Sequence, residues 1–241
     1  MLMIKDLGGK MDDCLKTGAR KISIAIDGPA GSGKSTVARQ VAEILGILYI
    51  DTGAMYRAVT LKALRTKISL DNHEDLTQLA NQVQLSFKKL PDDTYHLFMD
   101  GEDVSEEIRS VPVTRNVSFV SAISGVREAL VKRQKLIGAQ GGVVMDGRDI
   151  GTVVLPHAEL KIFLTASLEE RAVRRWREMT AKGIKSSMEE IKEDLKQRDA
   201  FDSGREVAPL RPATDSVIID TSSLSIEKVV DRILELSSFL I

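Results

Sequence analysis

Gly28-Pro29-Ala30-Gly31-Ser32-Gly33-Lys34-Ser35, followed by Thr36, fills the pattern glycine, any four residues, glycine, lysine, serine or threonine without a mismatch. The pattern acquires physical meaning only between a buried strand and the first turn of a helix. Both neighbours are legible. The run Ile22-Ser23-Ile24-Ala25-Ile26-Asp27 reads as a strand, and helical spacing extends from about residue 34 to residue 45, stopping near Gly46. In that setting the backbone N–H groups and the positive end of the helix cradle a polyphosphate. Lys34 then reaches the outer phosphates, and the Ser35 hydroxyl holds Mg²⁺.

Outward from this loop, strands and helices alternate. Residues 47–50 read as a second strand ending at Asp51, and residues 54–67 as a helix. Short apolar strands follow at 142–145, 160–164 and 217–219. The alternation favours an α/β fold in three layers, a parallel sheet covered on both faces. Ser167 with Glu170 and Ser187 with Glu190 have the spacing of capping boxes that open helices, and residues 226–240 form an amphipathic helix. One segment departs from the alternation. Val83, Leu85 and Phe87 alternate with polar residues up to a turn at Pro91-Asp92-Asp93. Tyr95, Leu97 and Met99 alternate again up to a turn at Asp100-Gly101. This predicts an antiparallel meander inserted into the scaffold.

The 241 residues suffice for one sizeable core with inserted lobes. A net charge of −1 offers no global attraction for a nucleic acid polymer or a membrane surface, so any anion site must come from local clustering. No apolar run approaches the ~18 residues that span a bilayer. The single cysteine, Cys14, excludes an intramolecular disulfide and suits a reducing compartment, the cytoplasm. Residues 1–20 lack the apolar stretch of a secretion signal and read as a mobile arm, with Met11 a rival initiator.

Four further clusters carry chemistry. Asp51-Thr52-Gly53-Ala54-Met55-Tyr56-Arg57 follows the second strand, at the sheet edge where open α/β folds bind ligands; Arg57 there forks a phosphate or is a solvated helix residue. Asp146-Gly147-Arg148-Asp149-Ile150-Gly151-Thr152 follows the third parallel strand and sets two acids and an arginine between glycines. Asp146 stands where a strand-terminal carboxylate approaches Mg²⁺ in phosphate-loop enzymes. Arg171, Arg174 and Arg175 fall on one helical face, with Arg177 nearby, and either neutralise phosphates or form a solvated face. Arg198, Asp202 and Arg205 are four and three residues apart, so one helical turn aligns them as a ligand set or a surface ion-pair ladder.

In this order, the phosphate loop, Asp-Thr-Gly-Ala-Met-Tyr-Arg, Asp-Gly-Arg-Asp-Ile-Gly-Thr and Arg-Asp-x-x-Asp-Ser-x-Arg-x-x-Ala-Pro-Leu resemble the bacterial cytidylate kinase family, from about residue 21 to residue 240. The resemblance implies a core parallel sheet of five strands with helices, an enlarged monophosphate-binding lobe that contains the meander, and a helical lid. Core residues are then 21–56, 125–167 and 206–241, lobe residues 57–124 with the insert at about 83–105, and lid residues 168–205. It implies transfer of the ATP γ-phosphoryl group to CMP or dCMP by a monomer. Gly28, Pro29, Ala30, Gly31, Ser32, Gly33, Lys34, Ser35 and Thr36 would hold ATP with Mg²⁺. Arg57, Arg148 and Arg205 would grip the acceptor phosphate, Thr52, Arg127 and Asp149 would face cytosine, and Ser118, Arg198 and Asp202 would contact the sugar. Arg174 would lie over the ATP phosphates, so that Lys34, Arg148, Arg174 and Arg205 carry the catalytic charge. Thr52 and Gly204 are small departures from the family pattern.

Phosphoryl transfer needs two anions in line, water excluded and charge compensated, which scattered arginines supply once lobes close. No general base is required. A kinase of a non-nucleotide metabolite on the same core, such as a shikimate kinase, and a nucleotide-dependent switch are the rival readings. The meander and the segment 198–205 argue against the first, and the lack of an Asn-Lys-x-Asp segment argues against the second.

Overall fold

Every residue of the strand that leads into the phosphate loop is buried, as expected for a strand covered on both faces. The computed structural model describes residues 22–91, 94–181 and 183–240. The expected N-terminal arm, with Met11 and Cys14, lies outside these residues, as do Asp92 and Asp93 of the meander turn. In chain order the elements are β1 (Ser23–Asp27), α1 (Lys34–Leu45), β2 (Leu48–Asp51), α2 (Thr52–Arg65), α3 (His73–Gln82), β3 (Leu85–Lys89), β4 (Tyr95–Met99), β5 (Glu102–Asp103), α4 (Val111–Ala122), α5 (Ser124–Gly138), β6 (Val143–Gly147), β7 (Leu160–Thr165), α6 (Leu168–Ala181), α7 (Met188–Gly204), β8 (Val217–Asp220) and α8 (Ile226–Ser238). A 3₁₀ turn at Glu107–Arg109 precedes α4, and a π-helical turn at Ile150–Val154 follows β6.

A five-stranded parallel sheet runs in the order β2-β6-β1-β7-β8. β1 is central, with Ile24 beside Val144 of β6 and Leu160 of β7. Ile24, Ile26, Val144, Met145, Ile162 and Leu164 are fully buried within it. The chain divides into two compact units, residues 22–49 with 141–240, and residues 50–140. In the first, α1 packs on β6 and α8, and α6 packs on α7 around Ala172, Ile191 and Leu195. α1 ends where the sequence predicts: Gly46 takes the left-handed conformation and returns its N–H to the Ala42 and Glu43 carbonyls. Ser187 opens α7 with a complete capping box. The matching box at Ser167 is only half made. Its Oγ accepts the Glu170 N–H, but its own N–H donates to Ser222 Oγ, because Glu170 turns instead to Arg174.

Residues 50–140 bring α2 against α4 and α3 against α5 around Met55, Val59, Leu76, Leu130 and Ile108. The expected meander is present as the sheet β3-β4-β5. Its register sets Leu85 opposite Met99 and Phe87 opposite Leu97 on the inward face. On the other face the Lys88 ammonium lies over the Phe98 ring at 4.7 Å. Asp100 and Gly101, with φ of 52° and 89°, make the two-residue turn into β5, the positive pair that such hairpins require. No helix among the described residues is long and apolar enough to cross a membrane.

Candidate nucleotide-binding site

The phosphate loop joins the carboxyl end of β1 to α1. Gly28, at φ 149°, has no room for a side chain, since a Cβ there would lie 2.0 Å from the Leu164 carbonyl oxygen. Gly33 caps α1 in the left-handed region with no side-chain hydrogen bond, which leaves the first-turn amides of the helix to an anion. Ser32 Oγ donates to the Pro29 carbonyl at 3.0 Å, and Lys34 Nζ donates to the same carbonyl at 2.7 Å. Burial, with Arg148 and Arg198 nearby, pushes the Lys34 ammonium down to about 7 against the partial support of Asp146 and Asp27. A group so disposed gains from a polyphosphate, whose charge favours the protonated amine. Thr36 is exposed on the first turn of α1.

Asp146 and Gly147 lie within β6 itself, two residues further along than the predicted strand end. Asp146 is buried. Its Oδ2 accepts the Ser35 hydroxyl at 2.9 Å and its Oδ1 accepts the Tyr49 hydroxyl at 2.9 Å. Ser35, expected on Mg²⁺ with Asp146 reaching the ion through water, is hydrogen-bonded to Asp146 directly, and Tyr49 is a partner that sequence reasoning leaves out. Among the described residues no group of three or more His, Cys, Asp or Glu side chains is placed to hold a metal. A hydroxyl and one carboxylate nevertheless suit Mg²⁺, which takes few protein ligands and completes its shell with phosphate oxygens and water.

Beyond Gly147, Arg148 donates from Nε to Asp202 Oδ2 at 2.8 Å. Burial by itself would lower the Arg148 guanidinium; Asp202, aided by Asp146 and Asp199, holds it above its ordinary value. Burial likewise would raise the Asp202 carboxyl, yet Arg148, Arg198 and Arg205 keep it below the usual carboxylate range. Arg198, Asp202 and Arg205 come together, as their spacing suggests. Arg198 Nε stands 4.0 Å from Asp202 Oδ2, and Arg205 lies past the end of α7, donating from Nε to the Asp202 carbonyl oxygen. A further contact to the carboxylate comes from the distant Arg148, a pairing that linear spacing does not reveal. Asp149 is buried and opens the π-helical turn.

Arg171, Arg174 and Arg175 share one face of α6 by spacing, but their surroundings differ. Arg171 is buried, donating to the Ala166 and Ala30 carbonyls and pairing with Asp199 of α7 at 2.7 Å. Arg174 bonds Glu170 and both the hydroxyl and the carbonyl of Thr221, while Arg175 pairs with Glu178 and Arg177 is exposed. Thr221 Oγ1 also lies 3.2 Å from the Ser32 carbonyl. Arg171 and Thr221 therefore support the phosphate loop; the sequence offers Arg171 to the phosphates themselves and singles out no role for Thr221.

Within residues 50–140, the Asp51 carboxylate caps α2 at the Ala54 N–H, and Thr52 begins the helix, buried. Arg57 donates from Nη1 to the Ile108 carbonyl and to Thr114 Oγ1. Arg127 is buried, with Nη1 on the Ser121 carbonyl and its guanidinium 5.6 Å from the Tyr56 ring centre. Ser118, on α4, is half-buried and its carbonyl accepts the Ser121 hydroxyl.

A family model described as cytidylate kinase matches residues 24–238. A cytidylate kinase of Anoxybacillus flavithermus is 54% identical over 215 residues, 89% of this chain and 95% of its own. The cytidylate kinase of a Bacillus cereus strain is 52% identical over 219 residues, 91% of this chain and 97% of its own. A bifunctional pantoate ligase/cytidylate kinase of a Synechococcus strain is 56% identical over 92% of this chain, which spans only 41% of that relative's length. An uncharacterised protein from Eubacterium ventriosum shares the fold, with a TM-score of 0.51, 12% identity and coverage of 90% of this chain and 98% of its own.

Proposed function

The chain belongs to the cytidylate kinase family, and from that premise we propose that it transfers the γ-phosphoryl group of ATP to CMP or dCMP, yielding ADP and the cytidine diphosphate. The observation that carries this reading is the cluster on Asp202. A buried carboxylate faces Arg148, Arg198 and Arg205, and two of those guanidiniums, Arg148 and Arg198, also act on Lys34 of the phosphate loop.

Residues Gly28 to Thr36 bind the ATP phosphates, with Lys34 on the outer two. Ser35 and Asp146 would hold Mg²⁺, which neutralises phosphate charge when bound. Arg148 and Arg205 receive the acceptor phosphate, Arg198 and Asp202 its sugar, and Asp149 the base. The family resemblance assigns Arg57 to the acceptor phosphate, Thr52 and Arg127 to cytosine, and Ser118 to the sugar. Arg174 belongs to a lid of residues 168–205 and compensates charge as the phosphoryl group moves. The acceptor phosphate oxygen attacks in line, so the protein contributes position and charge rather than a nucleophile. We read the protein as a monomer acting on the cytoplasmic nucleotide pool, in keeping with its single cysteine.

The test is ADP formation from ATP with a panel of acceptors: CMP, dCMP, UMP, AMP, GMP and shikimate. CMP and dCMP should give the highest kcat/KM. A preference for shikimate or a purine nucleotide would refute the reading.

A further inference from the structure

We infer that Asp27, the last residue of β1, is a positioning residue for the acceptor. Its carboxylate holds the backbone that presents Arg148 and Asp149. Oδ1 accepts the Ile150 N–H at 2.8 Å and Oδ2 accepts the Gly151 N–H at 2.7 Å. Asp27 is 4% exposed, and its carboxylate takes the amides in the two positions immediately after Asp149. On the strand side, β1 pairs with β6 so that Asp27 lies opposite Gly147. Arg148 and Asp149 are therefore held between two anchors, the Asp27–Gly147 register behind them and the Asp27 carboxylate ahead of them.

A second wall explains why the segment settles in this one place. A Cβ at Gly151 would meet the aliphatic stem of Lys161 at 3.3 Å and Asp27 Oδ2 at 3.4 Å. Lys161 cannot easily move aside, since its Nζ is tied to the Pro156 carbonyl and to both oxygens of Asp215. The turn is thus clamped between a carboxylate and a pinned lysine stem. It is also an uncommon turn, five residues of π-helix with Leu155 N–H on the Ile150 carbonyl.

Packing alone does not require a carboxylate here. Burial pushes Asp27 up to about 6 against the help of the Gly151 and Ile150 amides and of Lys34, with Asp149 adding repulsion. An ionised group so buried weakens the fold, and what it supplies is two acceptor oxygens on one short branch, aimed at adjacent amides. Asp27 also immediately precedes Gly28. One side chain at the root of the donor loop therefore sets the acceptor loop.

The inference rests on the acceptor reading above, and its test separates the two. Kinetics of the full chain are compared for wild type, Asp27→Asn and Asp27→Ala. KM for CMP should rise about tenfold in the Asn variant and further in the Ala variant, with KM for ATP within about twofold of wild type, the pattern of a misplaced acceptor group. Hydrogen exchange of the Ile150 and Gly151 amides is followed in parallel: slow in wild type, about 10²-fold faster in Asp27→Ala. An unchanged KM for CMP, or an equal rise in both KM values, would overturn the inference, the latter because Asp27 would then act through the phosphate loop. If a variant fails to fold, wild-type exchange decides, and unprotected Ile150 and Gly151 amides contradict the clamp. Should the wild type not turn over CMP at all, the acceptor reading falls, and the exchange data still report whether Asp27 holds the segment.

Discussion

Arg148 and Asp202 lie 54 residues apart and meet through a 2.8 Å hydrogen bond from Nε to Oδ2, with the carboxylate 5% exposed. The pair joins the turn after β6 to the last turn of α7. Arg198 and Arg205 reinforce the same carboxylate electrostatically. Three cations around one buried anion form an arrangement whose net positive charge suits a phosphate, while the anion fixes where the cations stand.

Replacing Asp202 with Ala should therefore act on both stability and binding. Loss of one partner from a buried ion pair costs about 3–5 kcal/mol, visible as a lower Tm. A lost charge-assisted hydrogen bond to the sugar is worth about 1.5–3 kcal/mol, so KM for CMP and dCMP should rise by roughly 10–150-fold. Unaltered kinetics for both acceptors would mean that Asp202 only braces Arg148.

Base selection should depend on Asp149. Cytosine offers an amine where uracil offers a carbonyl, and a carboxylate accepts from the first and repels the second. The discrimination amounts to about 2–3 kcal/mol, or about 30–150-fold in kcat/KM. In Asp149→Ala the CMP to UMP ratio should fall by that factor. A ratio equal to that of the wild type would remove Asp149 from base recognition.

Lys34 predicts a proton linkage. Its folded value of about 7 lies below the ordinary 10.5, so the fold bears the cost of ionised Lys34 below pH 7, and that cost fades as pH climbs from 7 toward 10.5. ATP reverses the bias by adding negative charge beside the amine. Binding at pH 8 should therefore take up close to one proton, measured by calorimetry in buffers of different ionisation enthalpy. Lys34→Arg should abolish the uptake, because a guanidinium is already charged. Zero uptake by the wild type would show that Lys34 is protonated before ATP arrives.

Gly28 and Gly33 both have positive φ, but they should not respond alike to alanine. A Cβ on Gly28 would strike the Leu164 carbonyl at 2.0 Å, whereas one on Gly33 comes no nearer than 3.7 Å to Arg174 Nη1. Gly33→Ala should cost about 1–2 kcal/mol of backbone strain. Gly28→Ala should cost distinctly more and abolish the thermal shift produced by ATP. Equal losses in Tm would mean that β7 gives way to the added methyl.

What was legible in the chain followed from local physics. The phosphate loop, α1 with its Gly46 stop, and the Asp100-Gly101 turn each rest on residues that act on their immediate neighbours. The three helices α3, α4 and α5 escaped the sequence reading for equally local reasons. Val111–Ala122 is rich in β-branched residues and carries Pro112, which is tolerated only because it falls in the first turn. α3 has only Leu76 and Ala80 as buried residues and is announced by little more than the Asn72 cap. Tertiary contact decides such segments. The same limit applies at the site: the residue types in Asp146–Asp149 suggested a ligand set, but the partners Tyr49, Asp27 and Asp202 come from distant strands and helices. Asp27 in particular looks in sequence like the polar end of a strand.

The most direct test of the acceptor site is a backbone amide footprint of the full chain titrated with CMP. The largest shifts should fall on Arg148 and Asp149 and on Asp202 to Arg205, with the Gly31 to Ser35 amides moving only when an ATP analogue follows. Shifts from CMP confined to the Gly31–Ser35 loop, or absent from both acceptor segments, would contradict the assignment of the Arg148–Asp202 cluster to the nucleotide acceptor.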